Sequence, residues 1–124
     1  MNIRAFFILL IILLTTTPAA TQTFSIHLRQ ITSENGLSDN EVTSVIQDKQ
    51  GYLWIGTKSG LNRYDSRDFY LFRHKENDST SICGDHITCL EIDDDSLLWI
   101  GTATSGLSCY NFRTGKFRNY NAGN

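Results

Sequence analysis

Three sets of residues in this chain are of types that could do chemistry. His27, His74 and His86 could move protons. Cys83, Cys89 and Cys109 could act as nucleophiles, metal ligands or disulfide partners. The acidic run Asp93-Asp94-Asp95 could hold a cation. None of the three sets has the spacing its chemistry requires. The histidines are separated in sequence, and no serine or cysteine nucleophile constellation assembles around them. A calcium loop needs alternating oxygen ligands, a central glycine and a distal glutamate, so three consecutive aspartates read as a solvated turn. A zinc site wants paired short ligand spacings, which Cys83, His86 and Cys89 do not supply. Three cysteines cannot complete a disulfide framework and read as buried, unpaired thiols. No glycine-rich phosphate cradle is present. The chain is therefore expected to carry no catalytic residue, no metal and no cofactor, with His86 kept as a loop residue able to contact a ligand.

The tryptophans lead elsewhere. Trp54 and Trp99 could stack on sugar rings, but each opens the same four-residue string. Trp54-Ile55-Gly56-Thr57 and Trp99-Ile100-Gly101-Thr102 are identical. The likeness extends from Val42 and Ile87 at an offset of 45 residues, which becomes 46 at Gly60 and Gly106 and 48 at Phe69 and Phe117. Leu37 and Ile82, and Phe24 and Phe69, are also 45 apart. A side chain repeated in every unit packs unit against unit, whereas a ligand site uses what differs between units. Trp54, Trp99, Phe69, Phe117, Tyr64 and Tyr110 are thus expected to pack the repeats together.

The elements that hold these residues are short strands. The first unit predicts Val42 to Gln47, Tyr52 to Thr57, Leu61 to Tyr64 and Phe69 to Arg73. The second predicts Ile87 to Ile92, Leu97 to Thr102, Leu107 to Tyr110 and Phe117 to Tyr120. Asp48-Lys49-Gln50-Gly51 suits a tight hairpin, its glycine free to take positive φ. Phe24 to Arg29 matches the fourth strand of a preceding unit and predicts an outer strand. Four short strands in a unit of about 45 residues is the spacing of a β-propeller blade. The expected fold is all-β: a partial propeller of two four-stranded antiparallel blades plus one N-terminal outer strand. A plain antiparallel sheet protein with a chance duplication is the alternative.

Composition agrees with a small packed domain. In 124 residues there are seven Phe, five Tyr and two Trp, enough to argue against disorder. Eleven basic and thirteen acidic residues, scattered singly, give a net charge of −2 and no basic stripe for nucleic acid.

The start of the chain reads as an export signal. One positive charge precedes the apolar run Ala5 to Leu14, and Thr15 to Thr21 are small or polar around Pro18. The run is about half the twenty residues a spanning helix needs, so cleavage near Ala19 or Ala20 is expected rather than an uncleaved anchor. Export would permit disulfides.

The pattern Leu37-Ser38-Asp39-Asn40-x-Val42, Asp48-x-x-Gly51-x-Leu53-Trp54-Ile55-Gly56-Thr57, Gly60-Leu61-x-x-Tyr64-Asp65 and Phe69 resembles the two-component regulator propeller repeat. The second copy departs from it where Ser96 replaces the turn glycine and Glu91 an apolar residue. The segment from Phe24 through Gly36-Leu37-Ser38 resembles the opening of the large periplasmic sensors of hybrid two-component systems. The resemblance implies a non-catalytic, periplasmic, glycan-responsive sensor. Its kinase, receiver and DNA-binding parts are absent here, and its membrane contact lies in the missing C-terminal parts. The chain reads as an amino-terminal fragment of such a sensor or the product of a truncated gene. A secreted propeller lyase or glycosidase, or a stand-alone propeller binding module, is the other reading.

The expected organisation is a signal peptide at 1–20, an outer strand and loop at 21–41 and a blade at 42–74. A loop at 75–86, a second blade at 87–120 and a tail at 121–124 follow. Because strands alternate direction, the loops entering each first strand share one face with those between second and third strands. Long, variable loops are where binding tends to reside. Asn35, Asp39, Asn40, Lys58, Asp85 and His86 are the ligand-face candidates, for an oligosaccharide or its breakdown product. Further blades of a parent chain are the other expected partner. The second blade would present one face without a neighbour, leaving Trp99 partly exposed.

Overall fold

The computed structural model describes residues 2–14, 20–94 and 96–121, with side chains 9 and 11–14 left aside. The expected cleavage region around Pro18 and Ala19, the third aspartate Asp95 and the tail residues 122–124 lie outside the described residues. A helix, α1 (Ile3–Leu14), opens the chain. Among the described residues no helix is long and apolar enough to cross a membrane.

Eight strands follow: β1 (Val42–Gln47), β2 (Leu53–Thr57), β3 (Gly60–Tyr64), β4 (Phe69–Phe72), β5 (Ile87–Ile92), β6 (Leu97–Thr102), β7 (Leu107–Asn111) and β8 (Lys116–Tyr120). They form two four-stranded antiparallel meanders, β1-β2-β3-β4 and β5-β6-β7-β8. These are the two expected blades, with strand ends moved by a residue where a turn borrows or donates one.

The first hairpin of each blade is built by an aspartate. Asp48 accepts amide hydrogen bonds from Gln50 and Tyr52 through Oδ1, and its carbonyl accepts the Gly51 N–H. Asp93 repeats this, accepting from Leu97, while its carbonyl takes the Ser96 N–H. Gly51 has φ 91°, and Ser96 takes the same left-handed conformation at φ 64°. The second turn keeps its shape without glycine because the aspartate network overrides the Cβ penalty.

Each blade has two faces, set by the period of two along its strands. The face carrying Ile46, Trp54, Leu61 and Phe72 in the first blade packs on the face carrying Leu90, Leu98, Ile100, Tyr110 and Phe117 in the second. Ile82 and Ile87 complete this core. Gly56 lets the blades approach: a Cβ there would lie 2.6 Å from Ile87 Cγ2. The other face of the first blade is covered by Leu37 and Ile31, which pack with Leu53, Ile55, Tyr64 and Phe69.

Equivalent positions differ in burial according to whether a blade lies beside them. Trp54 is fully buried, whereas Trp99 is half-buried. Ile87 is fully buried and its counterpart Val42 is 45% exposed; Leu90 is buried and Val45 is 55% exposed.

One expected element is absent. Phe24 to Arg29 forms no strand, and Phe24, Ile26 and Leu28 stand in solvent. A strand is held by ladder hydrogen bonds to a neighbour, and the described residues of this chain offer that segment no blade to join.

Candidate functional site

The loop face is assembled around Thr57 and Thr102, the last residues of the repeated string. Thr57 Oγ1 donates to the Gly60 carbonyl at 3.0 Å and accepts the Ser59 amide. Thr102 does the same with Gly106 and Ser105. The loop entering each blade is pinned next to this turn. Ser38 hydrogen bonds to Thr57 at 2.7 Å, and its amide donates to the buried Asn62 Oδ1. Asn62 Nδ2 in turn donates to Ser38 Oγ and the Ile55 carbonyl. In the second blade Cys83 takes the place of Ser38, its amide donating to the buried Ser108.

The ligand-face candidates sit on these pinned loops. Asp39 accepts from Ser59 Oγ at 2.6 Å and from the Glu41 amide at 2.9 Å. Those bonds, Ser59 first, hold its carboxyl below the usual carboxylate range. Lys58 forms an exposed ion pair with Glu41. Asp39, Glu41, Lys58 and Ser59 thus form one polar group where two loops meet. Asn40 Oδ1 accepts the Ser33 amide, and Asn35 Oδ1 accepts from Thr32, so both amide side chains fold the loop before β1. Asp85 accepts the His74 amide at 2.7 Å, and the His86 carbonyl accepts the Ala103 amide. The structure therefore brings Asp39 and Lys58 together and ties Asp85 and His86 to the corresponding loop of the second blade.

Beside that second loop runs an open groove of about 700 Å³. His74, Lys75, Asp78, Thr80, Arg118 and Asn121 are among its lining residues. His74 Nδ1 donates to the Ile82 carbonyl at 2.9 Å. Asp78 is held below its ordinary pKa, chiefly by the Thr80 hydroxyl and amide. Such a surface offers hydroxyl-binding donors and acceptors of both charge signs. Among the described residues no group of three or more His, Cys, Asp and Glu could hold a metal ion.

The packing residues occupy the seam and its two outer faces. The Trp54 ring lies 5.6, 5.1 and 5.8 Å from those of Phe72, Tyr110 and Phe112. Tyr64 stacks on Phe69 at 4.5 Å, and Tyr110 lies 4.9 Å from Phe117. Among the described residues Trp99 meets one ring, that of Tyr120, at 5.9 Å.

Two roles escaped the sequence reading. Asp48 and Asp93 accept the indole N–H of Trp54 and Trp99 at 2.8 and 2.7 Å, so Asp93 is not simply a solvated turn residue. An aspartate six residues before each tryptophan was the available signal. Cys83 and Cys109 are buried free thiols as expected, but Cys89 is exposed on the face that no blade covers. Burial pushes the Cys109 thiol pKa up and keeps it protonated.

Pinned loops on two stacked four-stranded meanders are the architecture of β-propeller blades. The model of the two-component regulator propeller family matches residues 36–59 and 77–104, one stretch in each blade. The chain is similar to a protein of Formosa agariphila called histidine kinase P4, 41% identical over 61 residues, 49% of this chain and 4% of that protein. It is similar to the extracellular domain described as that of a hybrid two component system, BT3049, of B. thetaiotaomicron. That likeness has a TM-score of 0.69 and 37% identity, covering 74% of this chain and 13% of the other. The extracellular domain of a one component system of the same organism, BT4673, shares the fold at a TM-score of 0.61 and 24% identity. It is covered to 14% of its length by 79% of this chain. The chain thus spans a small part of each relative.

Proposed function

We propose that these blades are an exported, non-catalytic part of a ligand-sensing propeller in a two-component system. The observation that supports this most directly is the combination of two matched repeats with 37% identity to an extracellular domain of such a system. The uncovered face of the second blade supports a role within a larger propeller. The short apolar helix α1, with Arg4 in its first turn, supports export through a cleaved signal.

The ligand class in this reading is an oligosaccharide or its breakdown product. Its hydroxyls would meet Asp39, Lys58, Asp85 and His86 on the loop face, with Asn35 and Asn40 shaping the loop beside them. Carboxylates and an ammonium group hydrogen bond readily to sugar hydroxyls, and none of these side chains is placed against a nucleophile.

The test is an exchange. Residues 36–120 replace the matched blades of the BT3049 extracellular domain, and a transcriptional reporter is read against a panel of oligosaccharides. Retained signalling with an altered ligand profile, reversed by Asp39→Ala and Lys58→Ala, is the expected result. A folded, surface-exposed receptor that signals with an unchanged profile would exclude these loops from ligand recognition.

A further inference from the structure

We infer that Arg63, with Tyr52 and Tyr70 around it, is a subsite for the carboxylate of an acidic sugar, a uronate unit; the ligand class rests on the sensor role proposed above. The subsite lies in the first blade, at the end of the strands opposite the loop face, beside the seam that the second blade covers.

Arg63 is built into the blade without a polar partner. It stands between Trp54 and Tyr70 in one cross-strand row of β2, β3 and β4. Its guanidinium carbon lies 4.7 Å from the centre of the Tyr70 ring, 5.1 Å from that of Tyr52 and 5.9 Å from that of Trp54. Nε is sealed from solvent and has no hydrogen-bond partner among the described residues, and the two Nη groups have none there either. Asp65 lies on the same face, but its Oδ1 accepts the Arg67 and Asp68 amides at 2.9 and 2.8 Å. Those bonds, Asp68 first, hold its carboxyl below the usual carboxylate range ahead of any pull from the guanidinium. A planar fork held by rings with its donors unspent is pre-organised for two coplanar carboxylate oxygens. The aromatic surroundings lower the local dielectric, which strengthens an ion pair made there.

The arrangement belongs to one blade. Cys109, Leu97 and Arg118 stand in the second repeat where Arg63, Tyr52 and Tyr70 stand in the first, so the box does not recur. Residues that pack blade on blade recur in both units, as Trp54 and Trp99 do; a recognition site uses what differs. The box is also open to a ligand. Tyr70 is 46% exposed on the edge strand β4, and Tyr52 is half-buried. Their hydroxyls add donors and acceptors at the rim of the charge. A uronate unit has the complementary surface: a carboxylate carried on a ring whose C–H faces pack on an aromatic side chain. A small inorganic anion would use the guanidinium and leave the exposed ring idle.

Titration of the full chain with trigalacturonate, in a mild non-ionic detergent that shields α1, tests this by calorimetry and by the NMR signal of the Arg63 Nε–H. The methyl ester of the same sugar is the uncharged control. Saturable binding of the acid is expected, with the ester weaker by about tenfold or more and the Arg63 signal shifted by the acid alone. Arg63→Met keeps an apolar stem between the rings and is expected to lose the preference for the acid. Arg63→Lys is expected to lose most of it, since an ammonium lacks the fork. Circular dichroism checks that the variants are folded. Should Arg63→Met unfold, Tyr70→Ala, which removes an exposed ring, is expected to weaken binding of the acid several-fold. A wild-type chain that binds neither sugar would overturn the inference, as would equal binding of acid and ester. A folded Arg63→Met chain that keeps the preference, or a folded Tyr70→Ala chain with wild-type affinity, would overturn it as well. Ester binding that Asp39→Ala and Lys58→Ala abolish would still mark the loop face as a sugar site, so failure here and failure of the sensor role are read separately.

Discussion

Trp54 and Trp99 occupy the same place in two copies of one repeat, yet truncating them should cost very different amounts. Trp54 is fully buried, touches three other rings and gives its indole N–H to Asp48. Removing about 200 Å² of buried aromatic surface forfeits roughly 5 kcal/mol at 25 cal/mol/Å². Core Trp→Ala changes, which relax part of the cavity, fall at about 3–5 kcal/mol. Trp99 keeps the hydrogen bond to Asp93 but has one ring neighbour and an open face, so Trp99→Ala should cost about 1–2 kcal/mol. At 4–8 °C per kcal/mol for a domain of this size, the mid-range gap of about 2.5 kcal/mol should separate the melting temperatures of the two variants by about 10–20 °C, and the smallest gap by about 4 °C. Thermal and urea unfolding followed by far-ultraviolet circular dichroism measures both. Trp54→Phe, which keeps part of the ring, provides a graded version if the alanine variant does not fold. Equal losses, or a larger loss for Trp99→Ala, would refute the argument that a neighbouring blade sets the value of this position.

Three further outcomes are expected. Ser96→Gly should stabilise the chain by about 0.5–1 kcal/mol in urea unfolding, because it relieves a left-handed serine at the β5–β6 turn while adding some unfolded-state entropy. Asn62→Ala should cost about 1–3 kcal/mol by leaving the Ser38 amide without its acceptor and freeing the loop before β1, read by the same unfolding and by hydrogen exchange at Ser38. Asp39 titrates below an unperturbed aspartate, so its contribution is present above the unfolded-state pKa and lost as pH falls through the lower folded value. Carboxyl NMR titration of Ser59→Ala should move the Asp39 pKa upward toward the ordinary value; an unmoved pKa would remove Ser59 as the principal cause.

The blades were legible in the sequence because each repeats a complete local instruction. Asp48 and Asp93 close the first hairpin, the Gly-Thr pair ends the second strand, and alternating apolar residues define two faces. Those signals act over a few residues, so the strand ends observed differ from the expected ones by no more than one. The pairing of Ser38 with Asn62 and of Asp39 with Ser59 was not legible, because it joins residues 24 and 20 positions apart through a turn geometry no local pattern states. Three of the six polar loop residues chosen from sequence, Asn35, Asn40 and Asp85, spend their side-chain hydrogen bonds on shaping their own loops. Asn35 and Asn40 do so most plainly, since a side-chain acceptor cannot be told from a ligand-binding one until its donors are seen.

The unit is written in the residues: four strands, their turns and the two chemically distinct faces of a blade. What each unit is worth depends on how the units stack. Identical strings place Trp54 in a sealed core and leave Trp99 partly exposed, and a strand-like string at Phe24 to Arg29 forms no strand. The reason is that turn chemistry and side-chain alternation are local, whereas burial and ladder hydrogen bonds require a neighbour. Whether a neighbour stands on a given side is a property of the stack of blades, not of the repeat.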